Sequence, residues 1–344
     1  MSGHVDIIAV AVQPSVPRAG EPARPKTAPR RDDTARQDSY RGVMPSTIEV
    51  LGLRKRYGSA VAVDDLSFTV QPGRVTGFVG PNGSGKSTTM RLILGLDSAD
   101  AGLARIGGRP FRSLRSPLTE VGALLDAAAV HPGRRAYDHL LWLAHSNGLA
   151  KRRIGEVLDM VGLAGVAGKR VGGFSLGMRQ RLGIAAALLG DPPVVMLDEP
   201  VNGLDPDGVV WIRDLLRRLA GEGRTVFVAS HLMGELEGTA SHLIVIGRGR
   251  VIADTAVADL IDAASGDRLE IRTARRTEVM TVLANAGAVV AATGPQSLTV
   301  TGLDGERVTA VLGGAGLGFA ELRRHRATLE AAYLELTRDA VTFR

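Results

Sequence analysis

From Thr47 onward the apolar residues fall into short blocks whose spacing alternates between strand-like and helix-like periods. Short apolar runs read as strands at Ile48 to Leu53, Leu66 to Val70, Val75 to Val79, Val121 to Leu125, Val194 to Leu197, Thr225 to Ala229 and Leu243 to Ile246. Helical patterns separate them, so residues 47–264 are expected to form an α/β domain. A wholly helical insert, residues 137–190, interrupts it, with amphipathic stretches at Tyr137 to Ser146, Arg152 to Val161 and Leu176 to Leu189. From residue 265 the alternation resumes on a smaller scale. Leu269 to Thr273, Ser297 to Val300 and Phe319 to Arg323 read as strands, and Thr277 to Asn285, Gly305 to Leu312 and Thr328 to Thr337 as helices. A strand-helix-strand-strand-helix-strand order predicts a small ferredoxin-like α+β domain over 265–344, with no catalytic constellation and an accessory role in regulation or dimer contact. Residues 1–46 are rich in Pro, Arg, Ala and Asp with almost no apolar periodicity, and read as a disordered extension. Met44, just before the ordered pattern, is a candidate start.

Two motifs inside the α/β pattern carry chemistry. Gly80-Pro81-Asn82-Gly83-Ser84-Gly85-Lys86-Ser87 fits GxxxxGK[ST] between the strand ending at Val79 and a helix beginning near Ser87. In that context the backbone N–H groups of the turn and the positive end of the helix suit nucleotide phosphates, so Asn82, Gly83, Ser84, Gly85, Lys86, Ser87 and Thr88 are the candidate contacts. Lys86 is placed to reach the β- and γ-phosphates and the Ser87 hydroxyl to ligate Mg²⁺. The second motif is the apolar strand Val194 to Leu197, which ends in Asp198 and Glu199. Ligand chemistry in α/β sheets sits at such strand ends. Asp198 is read as a Mg²⁺ ligand, usually through water, and Glu199 as the group that orients or polarises the attacking water. Alone, two acids at a strand end are equally a solvated turn; the upstream phosphate loop is what makes them chemical.

Composition narrows what the nucleotide is used for. With 344 residues the chain exceeds one ordinary domain. Only 4% of residues are aromatic, which disfavours a surface that stacks single-stranded bases. The formal charge of +6 permits an anionic partner, but arginine is spread along the whole chain, so no nucleic acid partner is expected. The absence of cysteine excludes disulfides, zinc ribbons and thiol catalysis. No apolar run approaches bilayer length, and the short apolar start from Val5 to Val12 is broken by Asp6 and preceded by no basic region, so the chain is expected to be neither exported nor membrane-spanning on its own.

Three further motifs and one aromatic resemble a known family. Phe174-Ser175-Leu176-Gly177-Met178-Arg179-Gln180-Arg181 resembles the LSGGQ-type signature of ATP-binding cassette proteins. Asn202-Gly203-Leu204-Asp205 resembles that family's D-loop, His231 stands where its switch histidine does, and Tyr57 matches the aromatic that stacks on adenine. The resemblance covers Ile48 to Asp254. It implies a P-loop NTPase nucleotide-binding domain with a helical subdomain, ATP and Mg²⁺ as ligands, and a head-to-tail homodimer. In that dimer Ser175, Leu176 and Gly177 of one copy face the γ-phosphate held by the other, Asp205 supports the subunit contact, and His231 contacts the γ-phosphate. Asp126 stands where most members carry glutamine and is expected to meet Mg²⁺ through water. Leu176 and Met178 depart from the usual glycine and glutamine. Both departures, and the ending Leu329 to Thr337, resemble an exporter branch commonly linked to drug, antibiotic or lantibiotic peptide export through separate multi-spanning permeases. The resemblance thus implies a cytoplasmic location on the inner face of the cell membrane. Two other classes are weighed against it. Ribosomal cassettes carry two copies in one chain and chromosomal ones insert long coiled coils, and neither feature is here. A non-hydrolysing regulatory module, with turnover spoiled at Asp126 and Leu176, is the other.

Overall fold

The computed structural model describes residues 46–266 and 268–337, so the extension expected over 1–46, with Met44, lies outside the described residues apart from Ser46. The chain divides into two compact units, the first ending at Asp254 and the second starting at Thr255, within the strand Arg250–Ala256, which is described with the first unit. In chain order the first contains β1 (Ile48–Tyr57), β2 (Ala60–Val70), β3 (Val75–Val79), α1 (Lys86–Ile93), β4 (Ala101–Ile106), β5 (Val121–Leu124), α2 (Ala136–Ser146), α3 (Arg152–Met160), α4 (Leu176–Leu188), β6 (Val194–Asp198), α5 (Pro206–Gly221), β7 (Thr225–Ser230), β8 (His242–Gly247) and β9 (Arg250–Ala256).

Two sheets organise this unit. One is antiparallel, in the order β2-β1-β4, and the other is six-stranded in the order β5-β6-β7-β3-β8-β9, with parallel pairing from β5 through β8. Strands β3 and β7 are buried along their whole length, and β6 and β8 along all but one residue, as expected where helices cover both faces of a parallel sheet. That double burial is why they read as unbroken apolar runs. Strands β1 and β2 bury one face only, with bulges that break strict alternation. The sheets meet at Phe68, Phe78 and Phe227, whose ring centroids lie 5.1 to 5.8 Å apart in tilted arrangements.

The sequence pattern missed β4 and β9 and cut β1 and β2 short. Strand β4 is mostly exposed and carries Gly102 and Arg105, so its pairing with β1, Ile48 opposite Ile106, defines it rather than any apolar run. The helical insert appears as α2, α3 and α4.

The second unit contains α6 (Val257–Ser265), β10 (Leu269–Arg272), α7 (Arg276–Asn285), β11 (Val289–Ala292), β12 (Ser297–Thr301), α8 (Gly305–Gly314), β13 (Glu321–Arg324) and α9 (Leu329–Thr337). The strands form one antiparallel sheet in the order β11-β12-β10-β13, the pairing order of a ferredoxin-like unit. Leu269, Ile271, Leu298 and Val300 pack on Val279, Leu283, Val308 and Leu312 of α7 and α8. The alternate positions stay polar: Glu270 binds Arg323 and His325. Strand β11 is apolar in all four residues, yet three of them are exposed, and the sequence pattern did not single it out. Helix α6 belongs to this unit, where it packs on α9, and Ser265 Oγ accepts the Ala327 N–H at 2.9 Å.

Candidate functional site

The loop from Gly80 to Gly85 joins the buried end of β3 to the start of α1. Gly85 caps α1 at φ +104°, and a Cβ there would stand 2.4 Å from the Ala62 carbonyl oxygen, so only glycine lets the chain turn here against β2. The first-turn N–H groups of α1 have no helical acceptor. The residues that carry them line an open cleft of about 270 Å³, formed by Ala62, Asn82, Gly83, Gly85, Lys86, Ser87, Thr88 and Glu199. A roomier hollow of about 620 Å³ lies on the second unit between β10, β13 and the start of α8, but no catalytic pair faces it.

Inside the cleft the charged groups hold one another. Lys86 is buried, and its Nζ donates to the Gly80 carbonyl at 2.6 Å and the Pro81 carbonyl at 3.3 Å. Burial lowers its pKa, against the upward pull of Glu199 and Asp198. Ser87 Oγ donates to Asp198 Oδ2 at 2.6 Å, which ties the phosphate loop to the end of β6. Burial raises the Asp198 carboxyl above its ordinary range, while Ser87 and Lys86 work the other way. Glu199 follows at φ +48°, a left-handed conformation that a residue with a side chain adopts only under constraint. Its N–H donates to Ala229 O at 2.9 Å, continuing the β6–β7 register in which Asp198 faces Ala229. That register brings Glu199 Oε1 to 2.9 Å from His231 Nδ1, just beyond β7. Glu199 Oε2 is buried and has no hydrogen-bond partner among the described residues. Burial again raises the Glu199 pKa, opposed by His231, which leaves a carboxylate more basic than an exposed one.

The unpartnered oxygen is where a water or a ligand would complete the site. The Ser87 hydroxyl and Asp198 carboxylate are hard oxygen donors in direct contact, so the residues present fit Mg²⁺.

A second cluster forms where α4 begins. Ser175 caps α4, its Oγ accepting from Met178 N at 3.2 Å. A Cβ on Gly177 would lie 2.8 Å from Gly203 O, and one on Gly203 would lie 2.3 Å from the Leu176 side chain, so the two segments touch through their backbones. Asp205 caps α5, accepting from Gly208 N at 2.8 Å. Tyr57 is half exposed at the end of β1, and its hydroxyl donates to Asp97 Oδ2 at 2.7 Å. Asp97 is gripped by Arg91 of α1 at 2.9 and 3.1 Å, and Lys55 Nζ lies 5.2 Å from the Tyr57 ring centroid. Asp126 is exposed two residues past β5, whose register sets Leu124 opposite Leu197, so Asp126 and Glu199 leave the sheet at the same end. Of the residues expected from sequence, Lys86, Ser87, Asp198, Glu199 and His231 come together directly. Ser175, Gly177 and Asp205 form the second cluster, while Tyr57 and Asp126 are not among the cleft's lining residues.

Sequence reasoning missed Ala62, Asp97 and Gln180. Gln180 is 4% exposed on α4 and donates from Nε2 to the Glu199 carbonyl at 3.1 Å. It lies within the signature-like stretch Phe174 to Arg181, just ahead of the apolar stretch Leu182 to Leu188, but the pattern assigns it no role there.

A glycine loop between strand and helix, with its lysine and serine set against strand-end acids, defines a P-loop nucleoside triphosphatase. Residues 63–202 match the family model described as ABC transporter, and residues 267–330 match one described as a domain of unknown function, DUF8746. The bacitracin transport ATP-binding protein BcrA of Bacillus licheniformis is 40% identical over 214 residues, 61% of this chain and 70% of that protein. The lantibiotic transport ATP-binding protein SrtF of Streptococcus pyogenes is 33% identical over 207 residues, 60% of this chain and 90% of that protein. A solved structure described as the ATP binding subunit of an ABC transporter superposes with a TM-score of 0.55 at 26% identity, covering 62% of this chain and 92% of that one. The chain belongs to the ATP-binding subunits of the ABC transporter family. It is an ATPase whose hydrolysis powers transport. No helix among the described residues is long and apolar enough to cross a membrane.

Proposed function

We propose that this subunit binds Mg-ATP in the cleft, hydrolyses it with Glu199 and His231, and as a head-to-tail homodimer energises export of an antibiotic-like or lantibiotic-like peptide through a separate membrane permease. The observation that carries the chemistry is the pair of contacts Ser87–Asp198 and Glu199–His231, which join the phosphate loop to two strand ends. Phosphate oxygens replace the Gly80 and Pro81 carbonyls as acceptors for Lys86, and the N–H groups of Gly83, Ser84, Gly85 and Thr88 take the remaining negative charge. Mg²⁺ would be held by Ser87 and Asp198, with Asp126 as a further candidate ligand, and would supply charge neutralisation for the nucleotide phosphates. Glu199 orients and polarises the attacking water with its unpartnered Oε2, while His231 fixes the carboxylate's rotamer and reaches toward the γ-phosphate. Tyr57 and Asn82 complete the nucleotide contacts, Tyr57 as the adenine platform.

Pairing follows from the second cluster. Ser175, Leu176 and Gly177 open a helix of 13 residues whose N-terminus suits an anion, and Leu176 is half exposed there. Within one chain that turn rests on Gly203; by its resemblance to the family signature, the γ-phosphate it meets belongs to a second copy, with Asp205 at the contact. ATP then holds the dimer and hydrolysis releases it. The names of BcrA and SrtF support a peptide antibiotic as cargo. The subunit works on the cytoplasmic face of the membrane, and the ferredoxin-like unit serves regulation or dimer contact.

The test is the molar mass of Glu199→Gln protein by light scattering with and without Mg-ATP, alongside phosphate release by wild type and Lys86→Ala. Doubling with ATP in the first and loss of turnover in the last are expected. A Glu199→Gln chain that binds ATP yet stays monomeric, or a Lys86→Ala chain that turns over like wild type, overturns the proposal.

A further inference from the structure

Glu199 keeps its left-handed backbone because several groups hold it at once. Its N–H is tied to Ala229 O, and its carbonyl oxygen accepts from Asn202 N at 3.2 Å and from Gln180 Nε2 at 3.1 Å. The amide orientation of Gln180 is settled by its partner, because a carbonyl oxygen only accepts. Gln180 is almost fully buried and sits on the turn of α4 that follows Ser175, Leu176 and Gly177. The start of α4 therefore grips one short segment at two points, Gly203 through the backbone of the 176–177 turn and Glu199 through Gln180.

We infer that Gln180 is a positioning residue that holds the water-orienting Glu199 in its strained conformation, and that it makes hydrolysis in a chain's own cleft respond to closure of that chain's α4 turn on the partner's ATP. The second half rests on the head-to-tail reading given above. If the partner's phosphate shifts the N-terminus of α4, the shift reaches Glu199 through one side-chain hydrogen bond. No rearrangement of the phosphate loop is needed. Loss of the bond frees one lone pair of a carbonyl that still accepts from Asn202, so the fold survives, while the carboxylate loses the geometry that aims it.

Gln180→Met keeps length and burial but removes the donor. In the full chain it should bind ATP like wild type and, combined with Glu199→Gln, still double in mass with Mg-ATP. Its kcat should fall roughly tenfold or more with KM held within about twofold, because only the reacting geometry is disturbed. Gln180→Glu, which sets a carboxylate against the Glu199 carbonyl, should be at least as slow. The coupling is read by a double-mutant cycle: Ser175→Ala and Gln180→Met together should be no more than about twofold slower than the slower single variant. A Gln180→Met kcat within about twofold of wild type, or a loss of ATP binding and pairing that marks a merely structural role, overturns the positioning assignment. Multiplying effects in the cycle overturn the coupling. Undiminished turnover in Ser175→Ala would instead tell against the head-to-tail reading and leave the kcat test of Gln180 standing.

Discussion

On the proposed reading of Tyr57 as the adenine platform, Tyr57→Ala separates the energy of holding the base from the energy of holding the phosphates. The ring is 49% exposed, its hydroxyl is fixed by Asp97, and Lys55 approaches its face. Removing a stacking aromatic costs about 1–3 kcal/mol per base. For a half-exposed ring the lower part of that range, about 1–2 kcal/mol, is appropriate, and it corresponds to a Kd for Mg-ATP weakened roughly 5- to 30-fold. Because adenine is remote from the reacting phosphate, the contact is the same in ground and transition states, so kcat at saturating ATP should not change. Tyr57→Phe keeps the ring and loses only the bond to Asp97, which Arg91 still satisfies; its Kd should stay within about threefold. Titration calorimetry with Mg-ATP and with inorganic triphosphate, which has no base, reads both effects. The reasoning fails if Tyr57→Ala binds ATP within about twofold of wild type, or weakens triphosphate as much as ATP.

His139 of α2 is 1% exposed, its Nδ1 has no partner among the described residues, and burial lowers its pKa from 6.5 to about 4. The unfolded chain therefore takes up a proton that the folded chain refuses, so stability is full above pH 6.5 and falls as pH drops toward 4, by up to about 3 kcal/mol. In thermal melts across that window His139→Leu should flatten the slope, and an unchanged slope would show that other groups carry it. Asp205→Ala removes the N-cap of α5 and should cost about 1 kcal/mol, with Asp205→Asn retaining most of it; equal melting midpoints for Asp205→Ala and wild type would refute the cap's contribution.

The buried parallel strands were legible because double burial demands continuous apolar residues, and β3, β6, β7 and β8 all carried that mark. Strands β4, β9 and β11 were not: β4 is mostly exposed, β9 is only partly buried and the short apolar β11 is largely exposed, so pairing with a neighbour rather than burial defines them. The same division runs through the site. The phosphate loop is a local device: its glycines, lysine and serine act within one turn, so a short pattern specifies it. The strand-end acids were visible as residues, but what each touches was not.

What the sequence by itself determined is therefore the set of chemical groups, the α/β order that carries them and the family they belong to. What only the tertiary structure decided is which groups meet. The parallel β6–β7 register brings His231 against Glu199, and the turn after β3 brings Ser87 against Asp198, across long separations in the chain. Gln180 reaches the Glu199 carbonyl, and Tyr57 finds Asp97, only after helices and sheets have packed. The physical reason is that hydrogen-bond partners are set by distances of a few ångströms between elements, whereas sequence periodicity records only which face of each element is buried.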